Sequence, residues 1–416
     1  MTFPTRIAFD EARAILARVA TDRRLPAERV TLVRGHGRVL AHDLAAVLDQ
    51  PGFDNSAMDG FALRHADLAP DGETALRLVG EQFAGLAADL VIGVGECARI
   101  TTGAPLPAGA DTVVMKENTV LDGGVVRVQV APKPGQHVRR AGEDVRVGDA
   151  LLSVGQALTP SRVALAAGQG LDGLDVAKRP TVAVFTTGDE LVEPGLPLRP
   201  GQLYNSNREL LMGLLRADGF EPVAWPTLPD DPSAVENALR HAGHAFDVVI
   251  TCGGVSAGEK DHLPALFQAR GHVHFWKVRM KPGMPVLFAG SHSSLENPGS
   301  GGLGDGLFLC LPGNPVSVLA TYLTLARTLL DGLQGRADAR PRLRARLRTG
   351  WRKTHERLEF LRGRLSCDDD GTLWVEPNPA DGSHRMRAAA DSDALIVLGE
   401  GEGVLDAGAL VDVLTY

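Results

Sequence analysis

The 416-residue chain reads as a multidomain protein in which a mostly parallel α/β domain is joined to β-rich domains. Three observations predict this class. Strand-like and helix-like runs alternate from about residue 180 to 330, a rhythm that implies a parallel sheet with helices on both faces. Short β-like runs separated by Gly, Pro and Asp fill residues 46–145, and a β pattern returns after residue 340. Glycine is abundant at 48 residues while aromatics make up only 5%, which favours turns and small β-domains over a helical bundle. The length allows two to four domains at about 150 residues each.

The elements follow in order. Asp10 is placed to cap a first helix, whose Ala12, Ile15, Leu16 and Val19 share one face. Residues 75–79 and 125–130 read as strands of the β-rich region. Thr159 caps a second helix, Pro160 opens it, and Gly168 or Gly170 stops it. In the α/β part, strands are expected at 181–185, 248–251, 273–278 and 307–311. Helices are expected from Asn207, from Asp231-Pro232 and from Asn314-Pro315, the last with Leu319, Tyr322, Leu323 and Ala326 as its apolar stripe. Residues 290–306, rich in Ser and Gly, read as a flexible surface loop. Beyond a linker at 332–340, Leu343, Ala345 and Leu347 alternate with arginines, predicting a strand with one buried face and one solvated face.

Composition excludes several classes. A net charge of −8 argues against a general nucleic-acid or anionic-membrane binder. No apolar run approaches the ~20 residues of a membrane span, and the N-terminus lacks the apolar core of a signal peptide, so a cytoplasmic protein is expected. Cys97, Cys252, Cys310 and Cys367 stand far apart, without the C-x-x-C spacing of a zinc site or redox dithiol. Cys252 reads as a small residue filling a turn rather than a nucleophile.

The chemistry concentrates at strand ends. Residues 248–251 run into Cys252-Gly253-Gly254-Val255-Ser256-Ala257-Gly258-Glu259-Lys260-Asp261. Glycines there let backbone amides approach an anion, and ligands of open α/β sheets sit beyond the carboxyl ends of strands. Thr187-Gly188-Asp189-Glu190 repeats the pattern of glycine turn and acid. Lys277 and Lys281 stand out in an arginine-rich chain and suit an oxyanion as compact charges. Leu311-Pro312-Gly313-Asn314-Pro315-Val316-Ser317 launches a helix whose N-terminus can hold an anion, although an ordinary Asn cap explains it equally well. Parallel strands would gather these four turns on one edge. The expected ligand is multiply anionic, with Mg²⁺ held by some of Glu190, Asp230, Asp231 and Asp261. Asp231 has a competing role as cap of the helix at Pro232. In the β-rich part, Asp54-Asn55-Ser56-Ala57-Met58-Asp59-Gly60 and Thr101-Thr102-Gly103-Ala104-Pro105 are the candidates, against the plain alternative of polar turns.

These motifs resemble, in order and over essentially the whole chain, the MoeA/gephyrin E-domain family of molybdopterin molybdenumtransferases; Gly142-Glu143-Asp144 and Lys281-Pro282-Gly283 complete the set. The resemblance implies a homodimer of four-domain subunits. A split linking and dimerisation domain would comprise residues 1–45 and 146–178. A β-rich domain would span 46–145, a molybdopterin adenylyltransferase-like α/β domain 179–331, and a β-barrel-like domain 332–416. It implies transfer of molybdenum from molybdate into adenylylated molybdopterin, Mg²⁺-dependent and with release of AMP. Adenylyltransferase-like activity and a non-catalytic, gephyrin-type scaffold are the alternatives. By resemblance, Asp59, Thr102, Glu190, Asp231 and Asp261 are catalytic, and the last three also hold metal. Gly253, Gly254, Ser256, Lys277, Lys281, Pro282, Pro312, Asn314, Pro315, Ser317, Arg362 and Ser383 would bind substrate. Asp59 and Thr102 would face the partner subunit's α/β domain. Molybdopterin adenylyltransferase and molybdoenzyme chaperones are the implied partners. Met284 stands where the family commonly has Lys, which removes one cation near the site.

Overall fold

The computed structural model describes residues 3–70, 72–256, 261–291 and 302–416. Its centre is a seven-stranded sheet in the order Thr5–Ile7, Gly271–Val278, Leu287–Ser291, Leu307–Leu311, Val248–Cys252, Val182–Thr186, Val223–Ala224. Leu287–Ser291 is antiparallel to both neighbours, and every other pairing is parallel. Six strands therefore share one direction, as the α/β rhythm predicts. The turns after Thr186, Cys252, Val278 and Leu311 all emerge on one edge.

Helices cover both faces. Pro232–Ala245 and Leu263–Arg270 bury Val235, Leu239, Leu263 and Phe267 against one face. Phe9–Asp22, Ser206–Ala217 and the helical run Pro315–Leu333 cover the other. Pro315–Leu333 is long and apolar enough to cross a membrane, yet 78% of its apolar window is buried inside the protein. It is a core helix of the α/β domain. Its middle turn, Tyr322–Ala326, widens to π geometry. The fully buried aromatic rings Phe185, Phe267, Phe275, Phe288 and Phe308 fill the two interlayers, each burial favouring the fold by about 1.5–3 kcal/mol.

Residues 5–22, expected in the split domain, join this α/β layer instead. Thr5–Ile7 adds an edge strand beside Trp276 and Val278. The first helix presents Ala12, Leu16, Val19 and Ala20, close to the predicted face. Asp10 does not cap it. The cap position is Ala8, without a side-chain bond, and Asp10 lies in the first turn.

The split domain closes through Ala27–Thr31 against Gly173–Ala177 and Leu44–Ala45 against Ala150–Leu152. Its core is Leu40, Leu152, Leu158, Val163, Leu174 and Val176. Thr159 caps Pro160–Gly168 as predicted, accepting a hydrogen bond from the Arg162 amide. The β-rich domain is a six-stranded sheet with Gly60–Leu63, Thr74–Gln82 and Glu96–Ile100 among its strands. At its neck Asp54 accepts from the Ala141 amide at 2.8 Å and pairs with Arg140 at 2.5 Å. That holds the Asp54 carboxyl below its ordinary range, chiefly through the amide. Asp54 is therefore a structural acid.

In the C-terminal domain five strands close on themselves. Leu358–Cys367 pairs with both Leu373–Pro377 and Ala394–Leu398, and Leu343–Leu347 with Leu410–Thr415 completes the barrel. Ala345 and Leu347 point inward, whereas Arg344, Arg346 and Arg348 make surface contacts with Asp412, the Gly408 carbonyl and Asp368. The loop expectation for 290–306 needs correction at its ends. Gly290 is a buried strand residue, and Leu303 is fully buried beside the helix Pro232–Ala245, where Gly304 and Gly306 touch Gly243. Residues 292–301 lie outside the described residues.

Candidate functional site

The edge where the parallel strands end carries a tightly interlocked set of turns. Gly253 and Gly254 adopt φ of +95° and +68°. A Cβ on Gly253 would lie 2.9 Å from Thr187 Oγ1, and one on Gly254 would lie 3.2 Å from it. The Gly253 amide donates to the Leu311 carbonyl at 3.1 Å, and the Thr187 amide to the Cys252 carbonyl at 3.1 Å. Three strand ends are thus laced together at glycines that admit no side chain. Replacing Gly253 by alanine is expected to cost about 1–3 kcal/mol of stability and to lower affinity for an anionic ligand. A thermal melt and a ligand titration check both, and an unchanged titration would remove Gly253 from the site.

Buried polar atoms without a hydrogen-bond partner among the described residues include Thr187 Oγ1 and Asn207 Oδ1 in this edge. Such atoms are costly unless something satisfies them. Asn207 does not cap its helix as predicted. The cap is Asn205, which accepts from the Arg208 amide and donates to Thr186 and Thr227. Asn207 is thereby released to donate to the Gly313 carbonyl at 2.6 Å. Spacing gave no means of choosing between two asparagines two residues apart.

The acids are placed unevenly. Glu190 is exposed and folds its carboxylate over Gly188. Asp231 caps Pro232–Ala245 by accepting from the Ala234 amide at 2.6 Å, so its predicted metal role competes with a structural one. Asp230 donates its amide to Asp189. Asp261 is half-buried; Ala257, Gly258, Glu259 and Lys260 lie outside the described residues. No group of three His, Cys, Asp or Glu side chains that could hold a metal gathers among the described residues. Cys252 ends its strand rather than filling the turn, and burial pushes its thiol far above its ordinary value.

The lysines divide between two sides. Lys277, at φ +68°, lays its ammonium 4.0 Å from the Trp276 ring centre, and Trp276 Nε1 donates to the Val255 carbonyl. Lys277 therefore sits by the glycine turn. Lys281 belongs to Met280–Lys281, a short strand that pairs with Leu358–Glu359 of the C-terminal domain. Its ammonium reaches Glu359 at 3.0 Å and Asp381 at 3.3 Å.

This second side draws the C-terminal residues in. Arg362 is 1% exposed, donates to the Ala380 carbonyl, and leaves Nε without a partner among the described residues. Burial lowers its pKa. Asn314 Nδ2 donates to Ser383 Oγ at 2.9 Å, and the Val316 amide to the Ser383 carbonyl at 3.1 Å. Asn314 occupies the predicted cap position but makes no side-chain cap; its amide is turned to Ser383. Pro315 opens the helix, and Pro312 and Ser317 are buried beside it. Arg357 Nη1 stands 4.0 Å from Met284 Sδ, so a cation from the C-terminal domain lies beside the position that lacks one. Glu359, Asp381 and Arg357 were not singled out from sequence, and Asn207 was read only as a helix start, because only long-range packing brings them here.

Asp59 and Thr102 form a separate unit. Asp59 Oδ1 accepts from the Thr102 amide at 2.8 Å and its hydroxyl at 2.9 Å, and the amide bond lowers the Asp59 pKa most. Among the described residues their hydrogen bonds stay within the β-rich domain. The subunit by itself does not bring them to the α/β edge by any such bond.

Fold and site together define a multidomain protein with a glycine-laced α/β edge flanked on one side by a barrel. Residues 7–170 match the family described as "MoeA N-terminal region (domain I and II)", 183–332 the "Probable molybdopterin binding domain", and 344–416 the "MoeA C-terminal region (domain IV)". The chain belongs to the MoeA family of molybdopterin molybdenumtransferases. A molybdopterin molybdenumtransferase of Haemophilus influenzae is 37% identical over 93% of both chains. One from Nostoc sp. is 34% identical over 93% of this chain and 88% of its own. The crystal structure of a molybdopterin biosynthesis MoeA protein from Pyrococcus horikoshii OT3 superposes with a TM-score of 0.81 at 26% identity, covering 99% of this chain and 100% of that one. Matches of this length leave the adenylyltransferase alternative, which accounts for the α/β domain alone, without support.

Proposed function

We propose that the protein transfers molybdenum from molybdate to adenylylated molybdopterin and releases AMP. The observation that supports this best is the convergence of Lys281, Arg362, Ser383 and Asn314 between two domains. Tetrahedral dianions are held by such charged and hydroxyl donors. The Gly253-Gly254 turn, with Thr187 and Asn207 behind it, suits a phosphate group at the strand edge. Lys277, over Trp276, adds positive charge on the same side.

Mg²⁺ fits this donor set without a preformed cage, because it is commonly bound by one or two carboxylates together with substrate phosphates and waters. Glu190 and Asp261 would hold it; Asp231 would do so only while also capping its helix. When bound, the ion would neutralise charge on the phosphate oxygens. The chain's own groups orient the phosphates through the glycine turn and hold the oxyanion beside Lys281. Asp59, kept ionised by Thr102, would accept a proton or orient water in a site completed by a second subunit. This reading makes the active form a homodimer.

Purified protein given adenylylated molybdopterin, Mg²⁺ and molybdate is expected to release AMP in proportion to molybdate. Absence of molybdate-dependent release sinks the proposal. The composite site is tested by mixing Asp59→Asn and Asp261→Asn subunits after dissociation. Each variant alone is expected to be inactive, and the mixture active, because mixed dimers retain one intact site. An inactive mixture whose heterodimers are verified would place both acids in the same subunit's site.

A further inference from the structure

Lys281 has two carboxylate partners of unlike character. Glu359 is 4% exposed, on a barrel strand, and also faces the His355 ring at 3.4 Å. Asp381 is 53% exposed, on the turn between Ala380 and Ser383. Its neighbours are the groups assigned above to the oxyanion. Ala380 accepts from Arg362, Asp381 lies within electrostatic reach of the Arg362 guanidinium, and Ser383 bonds to Asn314. Arg362 keeps a buried Nε without a partner among the described residues. The cationic site is therefore already met, from its solvent side, by a carboxylate of the chain.

We propose that Asp381 is an internal stand-in for the oxyanion: its carboxylate pairs with Lys281 in the empty site and yields that place when a dianion binds. Glu359 is the fixed partner. Its burial makes separation from Lys281 costly, since a buried charge left alone is strongly unfavourable. Asp381 gives up little on leaving, because an exposed carboxylate regains water and an exposed pair is worth little. The exchange sets affinity and selects for charge. A monoanion only replaces the charge it displaces, whereas a dianion adds to it and also reaches Arg362 and Ser383. Asp381 is thus a specificity-determining residue, and Glu359 a positioning residue that keeps Lys281 in place throughout.

This rests on the oxyanion reading of the Lys281 site, and the experiment separates the two. Molybdate alone is titrated by calorimetry into full-length wild type, Asp381→Asn and Lys281→Gln. Asp381 is exposed, so Asp381→Asn is expected to fold normally, which a thermal melt confirms. Asp381→Asn is expected to bind molybdate about two- to five-fold more tightly, the range for removing one exposed competing pair, and to discriminate less against a monoanion such as nitrate. Lys281→Gln is expected to bind far more weakly. Loss in Lys281→Gln with unchanged or weakened binding in Asp381→Asn overturns the stand-in role and leaves the oxyanion site standing. Unchanged binding in Lys281→Gln, or none in any variant, overturns both.

Discussion

Lys281→Gln is expected to lower molybdate-dependent AMP release by about 10²–10³-fold, the usual cost of removing one group aimed at developing or bound negative charge. Glutamine is the informative replacement. Lys281 is the ionic partner of buried Glu359 at 3.0 Å, and alanine would leave that carboxylate alone in the interior. Glutamine keeps a hydrogen-bond donor for Glu359 while removing the charge. A circular-dichroism melt close to wild type, with the rate collapsed, assigns the loss to the site. A rate within a few-fold of wild type would mean that Arg362, Ser383 and Arg357 suffice, and would move Lys281 out of the oxyanion site.

Asp218→Ala is expected to be strongly destabilising, by about 3–5 kcal/mol, as for breaking a buried ion pair by removing one partner. Its side chain is 6% exposed and meets Arg327 at 2.7 Å, Arg340 at 3.3 Å and the Tyr322 hydroxyl at 2.8 Å. These partners tie the helix Ser206–Ala217 to the core helix and to the linker that leads into the barrel. Burial beside the Asp218 carboxylate raises the Tyr322 pKa, so the phenol remains a donor. Without Asp218, two guanidinium groups lose a buried counter-charge together. Several domains unfold in this chain, so the measure is the shift of the first denaturant midpoint rather than one global free energy. Asp172→Ala, which breaks an exposed pair with Arg29, is the control and is expected to shift it little. Equal shifts in the two variants would contradict the buried-network account.

Much of the candidate site was legible because it depends on local chemistry. Glycines at Gly253 and Gly254 can be read directly, since the left-handed φ they adopt is one that other residues resist. Asp231 before Pro232 and Thr159 before Pro160 announce helix starts, and both cap as read. Asn205 and Asn207 show the limit. Either could cap, and the choice falls to Asn205 because only its amide also reaches Thr186 and Thr227. Asn314 shows the same limit from the other direction: its position is that of a cap, but Ser383, 69 residues away, draws its amide off.

The alternation of strand and helix, and of inward and outward residues, determined by itself the α/β class of one domain and the β-rich class of its neighbours, while the ordered motifs from Asp54 to Ser317 carried the resemblance to the family. Hydrophobic period and turn chemistry are properties of neighbouring residues, so they are written locally. Tertiary structure alone decided which strand ends meet, that residues 5–22 join the α/β layer, that five strands close into a barrel, and that Lys281 lies between Glu359 and Asp381. Those outcomes depend on burying apolar faces shared by distant segments and on neutralising charges in the space that remains. No stretch of sequence contains both partners of such a contact, so packing has to choose them.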